Sequence, residues 1–153
     1  MNRSGNKDFM QEAIKQAYDG IDHKHGGPFG SVIVQDGKIV GRGHNRVLLN
    51  HDPTCHGEME AIRDACKHLG THDLSGCQLY TTAEPCPMCK GAILWANIEQ
   101  VYYGCTIQDT DQIGFRDEGF YANWNNDEKM VEFERESCRK LFEDYAKGEN
   151  KRY

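Results

Sequence analysis

The stretch "EPCPMCKGAILWAN", residues 84–97, places two cysteines three positions apart at the start of a mostly apolar run. At the start of a helix this spacing puts the sulfur atoms of Cys86 and Cys89 on one side of a single turn, where both can bind one zinc ion. The apolar run that follows predicts a helix with a largely apolar surface. One stretch therefore predicts both an element of the fold and two ligands of a metal site.

A second stretch, "TCHGEME" at residues 54–60, offers the groups that such a site still lacks. Catalytic zinc sites use three protein ligands and leave one position open for water, and His56 can supply the third ligand. Residues two apart along a regular helix differ by about 200°, so His56 and Glu58 can flank one ion only where the helix begins. Glu58 would then accept a proton from the water, whose pKa zinc lowers to about 7. Glu60 would point away, as an acid favoured by the helix N-terminus.

Each of these pieces has an ordinary alternative when it stands alone. A "CPMC" segment can be a redox or a structural motif, His56 can be a surface or core histidine, and Glu58 can be a helix-capping acid. The combination is much rarer. "HGE" (56–58) at one helix start and "PCPMC" (85–89) at the next form the signature of zinc-dependent nucleobase deaminases. We therefore expect a site in which the histidine and the two cysteines bind zinc and Glu58 carries protons.

Periodicity and turn signals along the chain predict an α/β protein. Strands and helices alternate through the middle of the chain, which favours a parallel strand pair joined across a helix. "DG" at 36–37 is a strong hairpin signal. The predicted elements, in chain order, are an amphipathic helix over 9–18, strands over 31–35 and 38–43, a helix over 58–69 that ends at Gly70, a strand over 77–83, a helix over 86–97, strands over 100–105 and 130–134, and a final helix over 138–147.

Residues 106–129 carry little periodicity. They are rich in Asp, Asn and aromatic residues. In a compact domain, a run of this length without regular structure is usually functional or disordered. The sequence therefore predicts a functional or a disordered segment here.

The composition predicts one soluble globular domain of 153 residues. Its formal net charge of −6 argues against a dedicated nucleic-acid surface, which is normally basic. The N-terminus lacks the apolar core of a signal peptide, and no run approaches the roughly 18 apolar residues of a membrane span. Seven cysteines, an odd number, indicate a reducing environment with free or metal-bound thiols. We therefore expect a cytoplasmic protein with no membrane partner and no nucleic-acid partner.

With these motifs the chain resembles the cytidine-deaminase superfamily of zinc hydrolases and, more narrowly, the bacterial guanine deaminases within it. The zinc motif alone specifies the superfamily, whereas the loop with Asp117 and the terminal Tyr153 favour the guanine group. The narrower resemblance runs nearly from end to end, through "GGPFGSVIV" (26–34), "GHN" (43–45), "NHDPTCHGEMEAIRDAC" (50–66), "LYTTAEPCPMCKGAILWA" (79–96), "GFRDEGFY" (114–121) and the terminal "KRY".

The resemblance implies a fold and a reaction. The fold would be a three-layer α/β/α sandwich with a mixed five-stranded sheet, in a single zinc domain over residues 1–153. The reaction would be the hydrolytic deamination of guanine, a small-molecule purine base, to xanthine and ammonia, with Zn²⁺ as the cofactor. The protein would be a homodimer whose subunits exchange the C-terminal segment, about residues 137–153.

The same resemblance implies roles for four residues outside the zinc motif. Phe29 would stack on the base, and Asn45 would hydrogen-bond to the edge of the base. Asp117 would contact the exocyclic amine and, as a second catalytic group, help to move protons to it. Tyr153 would reach into the substrate site of the partner subunit.

The sequence departs from the family pattern at four positions. Cys55 and Gly57 bracket the zinc histidine where alanine is expected, and Cys55 is a potential competing thiolate. His23 and His25 precede "GGPFG" without a counterpart in the pattern. None of these departures removes a catalytic group.

The sequence leaves several other functions open. Within the same chemistry these are deamination of a triazine, isocytosine or cytosine, and deamination of adenosine in tRNA, which the acidic charge disfavours. A zinc-stabilised binding module is a different class, in which Glu58 would be idle and a fourth protein ligand would close the site. A thiol redox protein acting through Cys86 and Cys89 would contain no zinc.

Overall fold

The computed structural model describes residues 4–124 and 129–153, which form two compact units. Of the described residues, those up to Ala122 form the first unit and those from Asn123 onward form the second. None of the helices in the described residues has the length and apolar content that a membrane span requires. The elements of the first unit are α1 (Lys7–Asp22), β1 (Gly30–Gln35), β2 (Lys38–His44), α2 (Val47–Asn50), α3 (Gly57–Leu69), β3 (Cys77–Ala83), α4 (Pro87–Trp95), β4 (Gln100–Cys105), α5 (Ile107–Gln112) and α6 (Asp117–Ala122), and the second unit contains α7 (Arg135–Ala146).

The described strands form one mixed sheet in the order β2-β1-β3-β4. β1 pairs antiparallel with both β2 and β3, whereas β3 and β4 run parallel. Helix α4 lies between β3 and β4 in the chain, so the parallel α/β unit predicted from the sequence is confirmed. Because α4 begins four residues after β3 ends, the start of this helix lies close to the carboxyl end of a central strand.

Helices flank both faces of the sheet, as the residues of β1 illustrate. Val32 and Val34 belong to a cluster that includes Phe9 of α1. Ile33, which points to the opposite face, belongs to a second cluster with residues of α3 and α4. All three β1 side chains are at most 2% exposed, as expected for consecutive apolar residues of a strand that is covered on both faces. The layers are therefore helix, sheet and helix.

Turns and helix ends stand where the sequence predicts them. Asp36 and Gly37 have φ angles of 49° and 76°, as a two-residue hairpin turn between β1 and β2 requires. Gly70 ends α3 with a φ of 66°, a left-handed conformation that glycine adopts without steric cost. The bounds of β3 and β4 match the predicted strands, and α1 and α4 differ from the predicted helices only at their ends.

The prediction of a fifth strand over 130–134 is wrong. In the described chain this segment joins no ladder, and Glu134 has a φ of 58°. The sequence "MVEFE" alternates as a strand would, but a strand also needs a neighbour for its backbone N–H and C=O groups. None of the four described strands pairs with residues 130–134. In the described residues the sheet therefore has four strands and not five.

The segment over 106–129, in which the sequence predicts little regular structure, contains α5 and α6. Each of these helices has six residues, which is too short for a 3.6-residue period to emerge from the sequence. Thr106 and Asp109 form a capping box at the start of α5, a local signal that the sequence does carry. Residues 125–128 of this segment lie outside the described residues.

The second unit presents an apolar stripe on α7. Cys138, Leu141, Phe142 and Tyr145 follow one another at the spacing that places side chains on one face of a helix. Leu141 and Phe142 are 66% and 72% exposed. An uncovered stripe of this kind is typical of a helix that packs against another element or another chain.

Two glycines of β2 allow this strand to lie directly against α3. A Cβ atom at Gly43 would stand 2.4 Å from the backbone nitrogen of Ala61. A Cβ atom at Gly41 would stand 2.6 Å from the carbonyl oxygen of Ala61. Side chains at these positions would force strand and helix apart, so the glycines set the position of α3 and of the residues at its start.

We expect Gly43→Ala to lower the free energy of unfolding by about 1–3 kcal/mol, the usual effect of overpacking a core. Chemical denaturation of the purified protein measures this change. Gly91→Ala is the matched control, because a Cβ atom at Gly91 of α4 would meet no atom within 4 Å. Since alanine favours a helix over glycine by about 1 kcal/mol, this control keeps or gains stability. Unchanged stability of Gly43→Ala would contradict direct backbone contact between β2 and α3.

Candidate active site

The starts of α3 and α4 contribute the residues of the predicted metal site. His56 is the N-cap of α3 and Cys86 is the N-cap of α4, both with extended backbone conformations. Neither side chain caps its own helix, so both can point to a shared ligand. Pro87 occupies the first turn of α4, where its missing N–H is not needed. Cys89 follows in the same turn.

The three side chains have the spacing of a tetrahedral metal site. Nδ1 of His56 lies 3.5 Å from Sγ of Cys86 and 3.5 Å from Sγ of Cys89. Zinc bonds of about 2.3 Å to sulfur and about 2.0–2.1 Å to nitrogen, at tetrahedral angles, would separate nitrogen and sulfur by about 3.6 Å. All three ligand atoms lie within 4.8 Å of one another, and the group has three members in the described chain. It therefore fits a zinc ion with one position left open.

Hydrogen bonds within this group set the pKa values of its members. The hydrogen bond with Cys89 lowers the pKa of Cys86 to about 4, and the same contact raises the pKa of Cys89. The hydrogen bond with Cys86 raises the pKa of His56. Shared protons therefore link the three ligand atoms, and metal binding would displace these protons.

The carboxyl group of Glu58 lies buried in the same region. Glu58 is 5% exposed and stands in the first turn of α3. Burial raises the pKa of Glu58, and the charges of Cys86 and His56 also act on it. A buried carboxyl group with a raised pKa takes up a proton more readily than an exposed one, as a group that carries protons between reacting atoms must.

Two strand hydroxyls hold Glu58, and sequence reasoning missed both. Thr81 donates a hydrogen bond to Oε1 of Glu58 at 3.2 Å, and the hydroxyl of Ser31 lies 3.5 Å from the same oxygen. Ser31 also donates to Thr81 at 2.9 Å. Both residues are fully buried and face each other in the register of β1 and β3. Because they are 50 positions apart, only the strand register brings them together, and no local pattern signals it.

Phe29 and Asn45 meet where β1 begins and β2 ends. The N–H of Asn45 donates to the carbonyl oxygen of Phe29 at 2.9 Å, and Oδ1 of Asn45 accepts from the N–H of Val47 at 3.0 Å. With Oδ1 engaged, the Nδ2 group of this buried asparagine is the one left to donate to a ligand. The ring of Phe29 packs edge-on against Phe115, with centroids 4.9 Å apart and planes at 80°.

Helix α6 brings Asp117 into the field of the metal group. Burial raises the pKa of Asp117, and the charges of Cys86 and His56 act on it as well. The hydroxyl of Tyr121, also in α6, donates to the carbonyl oxygen of Pro85 at 2.6 Å and ties this helix to the cysteine loop. Sequence reasoning gave Tyr121 no role, and its place in "GFRDEGFY" is the only sign of one.

Two other residues that the sequence singled out are not members of the metal group. The buried sulfur of Cys55 lies 3.6 Å from Nδ2 of Asn50 and 3.8 Å from a guanidinium nitrogen of Arg63. Burial raises the pKa of Cys55, which opposes formation of a competing thiolate. Tyr153 is the last residue of the second unit and is 81% exposed. Its role at a partner's site stays a prediction.

A comparison with protein families agrees with this geometry. The model of the cytidine and deoxycytidylate deaminase zinc-binding region matches residues 3–105, which include the starts of both α3 and α4. The chain belongs to this family of zinc-dependent deaminases, which are hydrolytic enzymes. The family prediction from "HGE" and "PCPMC" is thereby confirmed.

Within the family, the chain is similar to guanine deaminases. The guanine deaminase of Bacillus subtilis (strain 168) is 48% identical over 113 residues, which are 74% of this chain and 72% of that protein. A crystal structure of guanine deaminase from B. subtilis matches with a TM-score of 0.89 over 98% of this chain and 99% of that chain, at 38% identity. The tRNA-specific adenosine deaminase of Aquifex aeolicus (strain VF5) is 41% identical over 99 residues, which are 65% of each protein.

We expect the purified protein to contain one metal ion per chain and Cys86→Ser to lose most of it. A hydroxyl group replaces one of three ligands in that variant, and it is a poor substitute for a thiolate. Elemental analysis after dialysis measures the metal and identifies it. Cys105→Ser is the matched control, because this exposed cysteine lies outside the metal group. A full metal content in Cys86→Ser would contradict the ligand assignment.

Proposed function

We propose that this chain hydrolyses guanine to xanthine and ammonia, with one zinc ion bound by His56, Cys86 and Cys89. The observation that carries the proposal is the buried carboxyl group of Glu58 next to a group of three metal ligands with an open fourth position. Similarity to a guanine deaminase structure over 98% of the chain supports the choice of substrate.

Glu58 is the proton carrier in this reaction. Zinc, when bound, lowers the pKa of a water molecule and so prepares it to attack the carbon that bears the amine. Glu58 accepts the proton of this water and delivers it to the adjacent ring nitrogen. Glu58 then takes the second proton of the water and, with Asp117, passes a proton to the amine as its bond to the carbon breaks and ammonia leaves. The hydroxyls of Thr81 and Ser31 keep the carboxyl group in one orientation through these transfers.

Recognition of the base is assigned to residues around the metal group. The ring of Phe29, supported edge-on by Phe115, stacks on the base. Nδ2 of Asn45 donates to an acceptor on the edge of the base, since Oδ1 is engaged with Val47. Asp117 accepts from the exocyclic amine, and its raised pKa suits it to return a proton to the leaving group.

Other deaminations are less well supported. Relatives named tRNA-specific adenosine deaminases share the zinc-binding region, but a net charge of −6 disfavours an RNA substrate. A zinc-stabilised binding module would need a fourth protein ligand, and the described residues contribute three. A free base is therefore favoured over an RNA substrate, and an enzyme is favoured over a non-catalytic binding module.

The C-terminal unit, in this proposal, completes the active site of a second copy in a homodimer. Its exposed stripe, with Leu141 and Phe142, supplies apolar surface for such an exchange. Tyr153 then lies against the base bound by the partner subunit and shuts water out of the site. Exclusion of water strengthens the polar contacts that stabilise the transition state. The same closure leaves little room for a ribose, so the free base is preferred over guanosine.

We expect Glu58→Gln to lose about 10²–10⁴ in kcat, the usual contribution of a positioned acid–base group, while fold and metal content are kept. Glutamine has the shape of glutamate but cannot accept the proton. The measurement is ammonia release, which reports both the substrate preference of the wild type and the fall in kcat of Glu58→Gln. The substrates are guanine, guanosine, adenine, cytosine, cytidine, a triazine and a tRNA anticodon stem–loop.

Glu60→Gln is the matched control for this variant. The control makes the same change from carboxylate to amide, two positions further along α3. The carboxylate of Glu60 pairs with Arg63 at 2.7 Å. We expect its rate to stay within about threefold of wild type. A near-normal rate for Glu58→Gln would remove Glu58 from the mechanism, and activity on another compound without activity on guanine would replace the substrate.

A mixing experiment tests the exchanged C-terminus. We expect deletion of residues 148–153 to reduce guanine turnover while the first unit still folds, because none of the apolar clusters of that unit is touched. Dimers formed from a Glu58→Gln chain and a tail-deleted chain should regain activity, since one composite site then combines an intact Glu58 with an intact Tyr153. A tail-deleted chain that also carries Glu58→Gln is the control partner and restores nothing. Full turnover after tail deletion would show that the tail has no catalytic role.

A further inference from the structure

Two histidines outside the metal group share a hydrogen bond. Nδ1 of His25, in the loop after α1, lies 2.8 Å from Nε2 of His44, the last residue of β2. The two rings stack with their centroids 5.1 Å apart and their planes at 19°. His44 is 6% exposed, and its ring lies against Gly20 of α1, where a Cβ atom would stand 2.7 Å from Cδ2. His44 is therefore fixed between α1 and the loop.

The surroundings of His44 indicate where the protons of the neutral pair lie. A neutral imidazole has one N–H donor and one acceptor nitrogen. Nδ1 of His44 is buried without a hydrogen-bond partner in the described part of the chain. Since an unpaired buried N–H is rarely tolerated, His44 carries its proton on Nε2 and donates to Nδ1 of His25.

Two added protons are needed to remove this hydrogen bond. The first leaves the bond in place but puts a proton on Nδ1 of His44, where the N–H is buried without a partner in the described part of the chain. The second sets two N–H groups against each other across 2.8 Å. Protonation of both rings is therefore coupled to loss of the hydrogen bond.

The histidine pair and the part of the loop that follows His25 flank Asn45. His44 precedes Asn45 in the chain, and the carbonyl oxygen of His25 accepts from the N–H of Leu48 at 3.0 Å on the other side of it. Between these contacts Gly26 lies against the side chain of Asn45, because a Cβ atom at Gly26 would stand 2.0 Å from Oδ1. A movement of His25 away from His44 therefore displaces the backbone that packs on the Asn45 amide.

We propose that His25 is a positioning residue for base binding: its hydrogen bond with His44 holds the Asn45 amide toward the base, and acid weakens binding of the base by breaking this bond. The proposal rests on the proposed function, in which Asn45 donates to guanine. His25 touches no reacting atom in this assignment, so the chemical step does not depend on it. His25 is one of the positions that depart from the family pattern. We therefore infer that this way of positioning Asn45 is a feature of this chain and not of the whole family.

The groups that face His44 set the pH at which the bond is lost. Burial is the largest effect and lowers the pKa of His44, and Arg46 and His25 lower this pKa further. Asp19 of α1 and Glu60 of α3 raise the pKa by smaller amounts. His44 therefore stays neutral where an exposed histidine begins to take up a proton, and the effect on binding appears below about pH 6.5.

Steady-state kinetics with guanine between about pH 8 and about pH 5 test the proposal, because histidine titrates in this interval. In the wild type KM rises about three- to tenfold toward acid, the value of one hydrogen bond, beyond any change in kcat. His25→Ala raises KM by about the same factor already at about pH 8 and removes the further rise in acid. The kcat of His25→Ala stays within about twofold of wild type at each pH.

His25→Asn separates positioning from a merely structural role. The asparagine carbonyl oxygen stands near the position of Nδ1, accepts from Nε2 of His44 and does not titrate. KM of this variant therefore stays close to the wild-type value at about pH 8 and remains flat down to about pH 5. His68→Ala is the matched control, because this exposed histidine of α3 bonds to a carbonyl oxygen of its own helix, at Asp64. Its KM profile follows the wild type.

Either of two kinetic results overturns the role of His25: an unchanged KM in His25→Ala, or a wild-type rise of KM in acid for His25→Asn. Nitrogen NMR of histidine-labelled protein is a second measurement, independent of turnover. It shows the proton of His44 on Nε2 at neutral pH, and a proton on Nδ1 overturns the proposal. A wild type that does not turn over guanine refutes the proposed function and this inference together, whereas altered KM profiles alone concern His25.

Discussion

Nδ1 of His56 has to lie 3.5 Å from two sulfur atoms that belong to a helix thirty residues further along the chain. This requirement fixes the start of α3 against the start of α4, and the sheet carries both helices. α3 lies in backbone contact with β2 through two glycines, and α4 follows β3 directly. The parallel pairing of β3 with β4, which α4 bridges, belongs to the same arrangement. Much of the first unit therefore serves to hold two helix starts face to face.

Glu58 shows how this arrangement reconciles stability with chemistry. A buried carboxylate is unfavourable unless other groups hydrogen-bond to it, and here Thr81 of β3 donates to Glu58 while Ser31 of the neighbouring strand β1 donates to Thr81. The same burial raises the pKa of Glu58, so that the group exchanges protons more easily. Burial of Glu58 thus has two consequences: the carboxyl group needs hydroxyl partners, and it exchanges protons more easily. A metal ion beside Glu58 adds a positive charge to this balance when it binds.

Local signals were sufficient for the parts of the fold that depend on local conformation. The Asp36–Gly37 turn, the end of α3 at Gly70 and the two helix starts all follow from residue types that prefer particular backbone angles. The metal group was predictable because three ligands, one histidine and two cysteines, coincide with two spacings typical of such sites. Residues 130–134 alternate like a strand but lack a neighbour, and the hydroxyls around Glu58 meet only through the register of β1 and β3. Both outcomes depend on pairing between distant segments, which a single sequence does not display.

The two halves of the site rest on different kinds of structure. Helix starts fix the metal group and Glu58, whereas loops contribute the aromatic rings at the base: Phe29 from the turn before β1 and Phe115 from the segment before α6, in edge-on contact at 4.9 Å. Loops tolerate change better than the elements that they connect. A family built in this way can exchange substrates by altering its loops while the catalytic centre stays intact. The relatives fit this reasoning, since proteins named guanine deaminase and tRNA-specific adenosine deaminase both align with this chain, at 48% and 41% identity. A histidine pair that braces Asn45 is a change of the same kind, because it adjusts how the base is held and leaves the metal ligands untouched.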